Sequence, residues 1–257
     1  MPDIRTVNVT RYAAPLREGG SLPAIVEADD GFMYVLKFRG AGQGIKSLVA
    51  EFIGGEIARL LGLKVPELVF AQLDEAFGRT EPDEEIQDLL KASRGLNIGL
   101  HYLSGSVMYD PALAHTDAFT ASKIVWLDAY LANMDRTARN TNMLLWHKEL
   151  WLIDHGACLY YHHNWSTFPE QAGNTFAMIK DHVLLPEATQ LAEAGEFARQ
   201  ALSVEKIAAI TDAIPGDWLG EYDGETVSST RKKYFDFLAQ RFHNSSGFLN
   251  QAINGGK

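Results

Sequence analysis

The sequence predicts an α+β protein of two lobes, a small antiparallel-sheet lobe with one helix followed by a larger, mostly helical lobe. Three observations predict it. Residues 6 to 38 alternate at strand spacing around a strong hairpin turn, a helix-spaced run follows over 47 to 61, and beyond about residue 74 most of the apolar spacing turns helical. The resulting bounds are 1–73 for the sheet lobe and 74–257 for the helical lobe.

In the first lobe, Val7 to Thr10, Leu22 to Glu27 and Phe32 to Phe38 read as strands, and Asp30-Gly31 between the last two marks a tight hairpin. Period-two alternation sets Lys37 on the face of Met33 and Val35, opposite Tyr34, Leu36 and Phe38. Leu48, Phe52, Ile57, Leu60 and Leu61 recur at helical spacing, with Gly62 placed to end that helix and Pro66 beyond it. Residues 65 to 73 return as a strand. An acidic, proline-containing segment over 80 to 85 precedes a helix near the connection between lobes.

In the second lobe, 118 to 134 reads as a helix that delivers Asn133 and Asp135 at its C-terminal end. Residues 142 to 146 and 150 to 153 form a hairpin around His147-Lys148-Glu149, with Asn140 at its entrance and Asp154 at its exit. Three more helices cover 186 to 202, 203 to 214 with Ser203 as N-cap, and 228 to 242. The last residues, 254 to 257, read as a frayed end.

Composition narrows the function. With 46% hydrophobic and 22% charged residues the 257-residue chain has the make-up of a globular protein, long enough for a large core. A net charge of −10 offers no basic footprint for a nucleic-acid backbone, so direct nucleic-acid binding is not expected. No signal pattern opens the chain and no long apolar run appears, so neither secretion nor membrane spanning is expected. The single cysteine, Cys158, excludes an internal disulfide and fits the cytoplasm.

The polar residues point to phosphoryl transfer. Asp135 and Asn140 stand at the spacing D-x-x-x-x-N, fourteen residues later Asp154 ends an apolar strand, and Lys37 lies far upstream inside another. In that chemistry one aspartate orients the attacking hydroxyl, an asparagine and a second aspartate hold magnesium, and the lysine meets the phosphates of ATP. Asn142 rivals Asn140 as the ligand. A lysine on an apolar strand needs an anionic partner if it points inward, and Glu51 and Glu56 on the following helix are both candidates. Two glycine-bearing loops flank this region. The first, with Gly19, Gly20 and Ser21, lies between strands where backbone N–H groups and the serine hydroxyl would face the nucleotide; the second, Gly40 to Gly44, reads as a strand-to-helix turn. Arg136 and Arg139 would screen phosphoryl charge or pair with carboxylates. His162 and His163 lack zinc-site spacing, and no G-x-S-x-G elbow supports a serine hydrolase.

These residues resemble the HipA-like kinases, a bacterial family whose fold is related to the protein and phosphoinositide kinases. The similarity runs from about Leu22 to Asp154 and is carried by Val35-Leu36-Lys37-Phe38, Val49-Ala50-Glu51, the segment Leu61 to Pro66, Asn133-Met134-Asp135 with Asn140, and Asp154. The resemblance implies a two-lobed protein-kinase-like fold, with Lys37 contacting ATP, Glu51 its helix partner, Asp135 catalytic, and Asn140 and Asp154 holding Mg2+. It implies a protein serine or threonine as acceptor. The alternatives are a kinase-like module that binds nucleotide or a partner without turnover, and a kinase for a lipid or small metabolite. Family toxins carry a further N-terminal subdomain, whereas 36 residues precede Lys37 here, so the likeness is to the bare kinase module. The family's autophosphorylated serine loop is not kept, with Ser21 only a loose stand-in, and nothing in these residues argues for an antitoxin-like partner.

Overall fold

The computed structural model describes residues 2–16, 22–74, 83–220 and 224–255. The strands β1 (Thr6–Pro15), β2 (Ala24–Ala28) and β3 (Met33–Lys37) run antiparallel in sequence order. The β2–β3 hairpin turns at the Asp-Gly pair, with Gly31 at φ +81° and its N–H donating to the Ala28 carbonyl at 3.0 Å. Helix α1 (Gly44–Leu60), strand β4 (Leu68–Leu73), helix α2 (Glu84–Ala92) and strand β5 (Gly95–His101) complete the lobe.

Four strands do not make this sheet; β5 inserts between β3 and β4, antiparallel to both. Thr6 to Asn8 of β1 then pair in parallel with Phe70 to Gln72 of β4, which closes a barrel in the order β1-β2-β3-β5-β4. Closure leaves no long open edge. The expected alternation in β3 holds: Tyr34 and Leu36 fill the barrel with Val7, Val9, Val26, Val69 and Ala71, and Val35 and Lys37 face away from that interior.

Helix α1 ends as its sequence requires. Gly62 lies at φ +67°, its N–H reaches the Arg59 carbonyl at 2.9 Å, and the Leu63 N–H reaches Ala58 at 3.0 Å, the paired bonds of a Schellman stop. Twelve of its residues are buried, Glu51 among them, because it packs against both lobes. One apolar core runs from Leu48, Phe52 and Ile57 of α1 through Trp126 and Tyr130 to Phe168 and Phe237 in the second lobe. Burial of this kind is worth about 1.5–3 kcal/mol for each large side chain, enough to hold α1 as a shared element of the two lobes.

The second lobe contains β6 (Val107–Met108), α3 (Ala118–Leu131), β7 (Met143–Trp146), β8 (Glu149–Leu152), α4 (Leu191–Ala201), α5 (Val204–Asp212), α6 (Val227–His243) and α7 (Ser245–Gly255). Strands β6, β7 and β8 form a small antiparallel sheet. The tip of the β7–β8 hairpin is His147-Lys148, both at positive φ, the two-residue turn that matches strand twist. Between 155 and 181 the chain makes short 3-10 turns. The helix expected from 186 starts at Leu191, since residues before it form a turn in which the Ala188 N–H meets the Leu184 carbonyl. Ser203 caps α5 as expected, accepting the Lys206 N–H at 3.3 Å. No helix among the described residues is long and apolar enough to cross a membrane.

Candidate active site

Lys37 is the last residue of β3, and its ammonium lies between two carboxylates from distant parts of the chain. Nζ is 2.5 Å from Glu51 Oε2 on α1 and 2.5 Å from Asp154 Oδ1 beyond β8, a residue 117 positions away. Glu51 is wholly buried and Lys37 nearly so, whereas the Asp154 side chain is 47% exposed. Burial alone would lower the lysine pKa, but the charges of Asp154 and Glu51 outweigh it and raise it above the ordinary value. Burial likewise opposes ionisation of Glu51, yet the Lys37 ammonium, aided by His155, holds its carboxyl down at about 2. Glu51 is thus the buried anion facing the lysine. Glu56 is not solvated as a surface residue would be: it is 8% exposed and pairs with Arg59 at 3.2 Å.

Asp154 takes the left-handed conformation, φ +57°, which an aspartate tolerates better than most residues, and the chain then turns into His155-Gly156. His155 is buried between α1 and the end of β8. Its Nδ1 lies 3.6 Å from Glu51 Oε1, and its Cβ lies 2.5 Å from where Gly54 would carry one. Gly54 therefore lacks a side chain because His155 fills that space. This imidazole gives the sequence His155-Gly156 a packing role against α1.

The second group of residues sits in the loop between α3 and β7. Asp117 caps α3 by accepting the Thr120 N–H at 2.9 Å, and Ala132 ends the helix in the left-handed region at φ +51°. That turn launches Asn133 and Asp135. Asp135 Oδ2 accepts from Asn140 Nδ2 at 2.8 Å and from Asn142 Nδ2 at 3.2 Å. The two asparagines that spacing alone left as rivals therefore converge on one carboxylate oxygen. The carbonyl of Asn142 accepts the Ile153 N–H at 3.0 Å, so this loop is tied to the residue before Asp154.

Arg136 does not face the site. It is 1% exposed and donates Nε to Asp128 Oδ2 at 2.6 Å and Nη1 to the Asn142 carbonyl at 2.5 Å. Asp128, in the last turns of α3, has its carboxyl held below the usual range against burial by Arg136 and His182. Asp128 and His182 were not among the residues that motif spacing singled out. The only sequence signal for Asp128 was a charge inside an otherwise apolar helical run. Arg139 is exposed.

The donor set suits a hard cation. The Asn140 amide nitrogen donates to Asp135, which leaves the amide oxygen as its candidate ligand atom, and Asp154 uses Oδ1 for Lys37 while half of its side chain remains exposed. Carboxylate and amide oxygens are the ligands Mg2+ prefers. No group of three or more His, Cys, Asp or Glu fit for a metal occurs among the described residues, so such a cation would also draw on nucleotide oxygens and water. His162 and His163 pack ring to ring at 4.5 Å, and His162 is buried. The first glycine loop, with Gly19, Gly20 and Ser21, lies outside the described residues. The second is a turn in which Gly40 abuts Ala92, where a Cβ would meet that residue at 2.7 Å, and Gly44 opens α1 at φ +63°.

A sheet lobe whose helix α1 packs on a helical lobe, with a lysine–glutamate–aspartate bridge between them, is the architecture of the protein-kinase-like phosphotransferases. The chain belongs to the HipA-like kinase family, whose profile matches residues 9–245. Among solved structures it is similar to the Helicobacter pylori proinflammatory kinase CtkA, with TM-score 0.60 and 15% identity over 97% of this chain and 98% of that one. It is also similar to the Golgi casein kinase, with TM-score 0.51 and 11% identity over 99% of this chain and 75% of that one. A structure of the Golgi casein kinase with Mn/ADP bound matches at TM-score 0.50 and 12% identity, covering 98% and 74% of the two chains. At these identities the likeness concerns the fold. Comparison with curated proteins finds no match.

Proposed function

We propose that the chain is an ATP- and Mg2+-dependent kinase that moves the γ-phosphoryl group to a hydroxyl, with serine or threonine of a protein as the acceptor. The observation that carries this reading is the bridge from β3 through Lys37 to Glu51 and Asp154, which sets one buried ammonium and one half-exposed carboxylate at the same point between the lobes. The Mn/ADP complex of the Golgi casein kinase supports nucleotide and a divalent cation in this fold.

In the proposed reaction the acceptor oxygen bonds to the γ-phosphorus as the bond to the β–γ bridging oxygen breaks, ADP leaves, and the hydroxyl proton passes to Asp135. Asp135 suits that task because the amides of Asn140 and Asn142 hold Oδ2, leaving Oδ1 to meet the hydroxyl. Lys37, fixed by Glu51, neutralises phosphate charge, and Glu51 keeps that ammonium from swinging away. Asn140 and Asp154 are the residues that would hold Mg2+. The cation would offset charge on the transferring phosphates. Because this chemistry asks for positioning and charge stabilisation more than covalent help, a rigid lysine and an oriented aspartate are its main protein requirements.

The test is incubation of the purified chain with radiolabelled ATP and a cell extract, followed by mass spectrometry of the labelled products. Label on protein serine or threonine supports the reading; label only on lipid or metabolite moves the acceptor class. Tight Mg-ATP binding with no transfer anywhere would make the chain a nucleotide-binding module.

A further inference from the structure

Asp128 and His182 take no part in the chemistry just described, yet both are buried, bonded to each other, and joined through Asp128 to the loop that carries Asp135. Asp128 is wholly buried and reaches the catalytic loop by two routes. Through Oδ1 it accepts Asn133 Nδ2 at 2.9 Å, and Asn133 Oδ1 in turn accepts the Asp135 backbone N–H at 3.1 Å. Through Oδ2 it accepts Arg136 Nε at 2.6 Å, and Arg136 Nη1 holds the carbonyl of Asn142, whose amide binds Asp135 Oδ2. One carboxylate thus grips Asp135 from its main chain and from its side chain.

His182 joins this carboxylate from the end of the 155–185 segment. Its Nδ1 accepts the Leu184 N–H at 3.0 Å, which leaves Nε2 to carry the proton and donate to Asp128 Oδ2 at 2.8 Å. The contact is reinforced by the main chain: His182 bridges Thr137 and the Val183 N–H donates to the Arg136 carbonyl at 3.1 Å.

We infer that Asp128 and His182 are positioning residues for Asp135, and that His182 links the conformation of the 155–185 segment to the orientation of the acceptor-binding aspartate. The inference rests on the proposed role of Asp135. A segment that leads from Asp154 and returns at His182 lies beside the reacting groups at both ends, so an acceptor that rearranges it would tug on the same carboxylate that fixes Asp135. The arrangement gives the segment a way to raise turnover without touching ATP.

The test compares His182→Gln, His182→Leu and Asp128→Asn in the full chain, well below each melting temperature. Glutamine keeps a donor for Asp128 and an acceptor for the Leu184 N–H; leucine keeps neither. Transfer from radiolabelled ATP to myelin basic protein, used as a probe acceptor, should fall about 10²-fold in kcat for the leucine variant. Its KM for ATP and its binding of a fluorescent ATP analogue should stay as in the wild type, and the glutamine variant should recover most of the loss. Proton–nitrogen spectra should show the side-chain amides of Asn140 and Asn142 shifted in the leucine and asparagine variants and unshifted in the glutamine one. Wild-type kcat in the folded leucine variant, or unmoved amides in all three, overturns the inference. If the wild type transfers no phosphate to the probe, that failure belongs to the proposed function, and the amide shifts alone decide whether Asp128 and His182 hold Asp135.

Discussion

Gly54 and His155 are fitted to one another: a Cβ on the glycine would lie 2.5 Å from the histidine Cβ and 2.9 Å from its Cγ, distances at which one of the two backbones must move. The contact fixes α1 against the residue that follows Asp154, and so sets the distance over which Lys37 spans Glu51 and Asp154. Gly54→Ala should cost about 1–3 kcal/mol by overpacking, partly offset by about 1 kcal/mol of helix propensity. Calorimetry should show a lower melting temperature, and titration should show weakened ATP binding. An alanine variant that melts higher and binds ATP as the wild type does would contradict the contact.

On the proposed mechanism, Asp135→Asn keeps the shape of the loop and removes the group that would take the proton. Its kcat should fall by about 10²–10⁴-fold, the usual contribution of a general base, with Mg-ATP affinity close to the wild type. Single-turnover transfer and equilibrium nucleotide binding, measured on one preparation, separate the two effects.

Stability should track the ionisation of Glu51. Its carboxyl is held at about 2 in the folded chain, below the ordinary 4.5, so the stabilisation it contributes is fully present above pH 4.5 and is lost as pH falls towards 2. A Glu51→Gln variant should therefore be less stable than the wild type near neutral pH, by about 3–5 kcal/mol as for a broken buried pair, and the gap should narrow across that acid window. Urea melts at a series of pH values give the difference; a gap that widens on acidification would refute it.

Magnesium dependence should be most sensitive at Asp154. Chelation of divalent cations should abolish transfer, and Asp154→Asn or Asn140→Ala should demand more Mg2+ for half-maximal rate, because each would remove an oxygen ligand, or its charge, that the proposed site supplies. Rates over a Mg2+ series at saturating ATP supply the check, and unchanged Mg2+ requirement in both variants would remove the assignment.

Cys158 is fully buried, and burial pushes its thiol well above the ordinary range. It should resist alkylation in the native chain and react fully in denaturant. Mass spectrometry after timed iodoacetamide exposure reads this directly.

Local patterns made much of the architecture legible. The alternation in β3, the Asp-Gly turn before it, the glycine stop of α1 and the β7–β8 hairpin are all set by contacts within a few residues, so period and turn chemistry suffice to find them. Strand β5 carries no such local signal, because Gly95, Asn97 and Gly99 are residue types that favour turns. In the fold Asn97 is wholly buried, accepting the Arg39 N–H at 2.8 Å and donating to the Ser93 and Gly95 carbonyls, and Gly99 lies where a Cβ would crowd Val69 at 2.9 Å. Gly99 answers to a neighbour on β4, and Asn97 to the chain just beyond β3 and α2. α7 went unread for a related reason: its Ser, Gly and Asn residues have weak helix propensity, while Phe248, Leu249 and Ala252 are buried in the common core.

The amino-acid order by itself singled out the residues to which the proposed phosphoryl transfer is assigned, since D-x-x-x-x-N, a strand-ending aspartate and a lysine on an apolar strand are features of a single chain read along its length. Tertiary structure alone decided their company. It set Glu51 rather than Glu56 against Lys37, brought Asn140 and Asn142 onto the same oxygen of Asp135, and turned Arg136 inward to Asp128 and the Asn142 carbonyl. The physical reason is that a charge can be buried only where another part of the fold delivers its partner, and that partner stands up to 117 positions away.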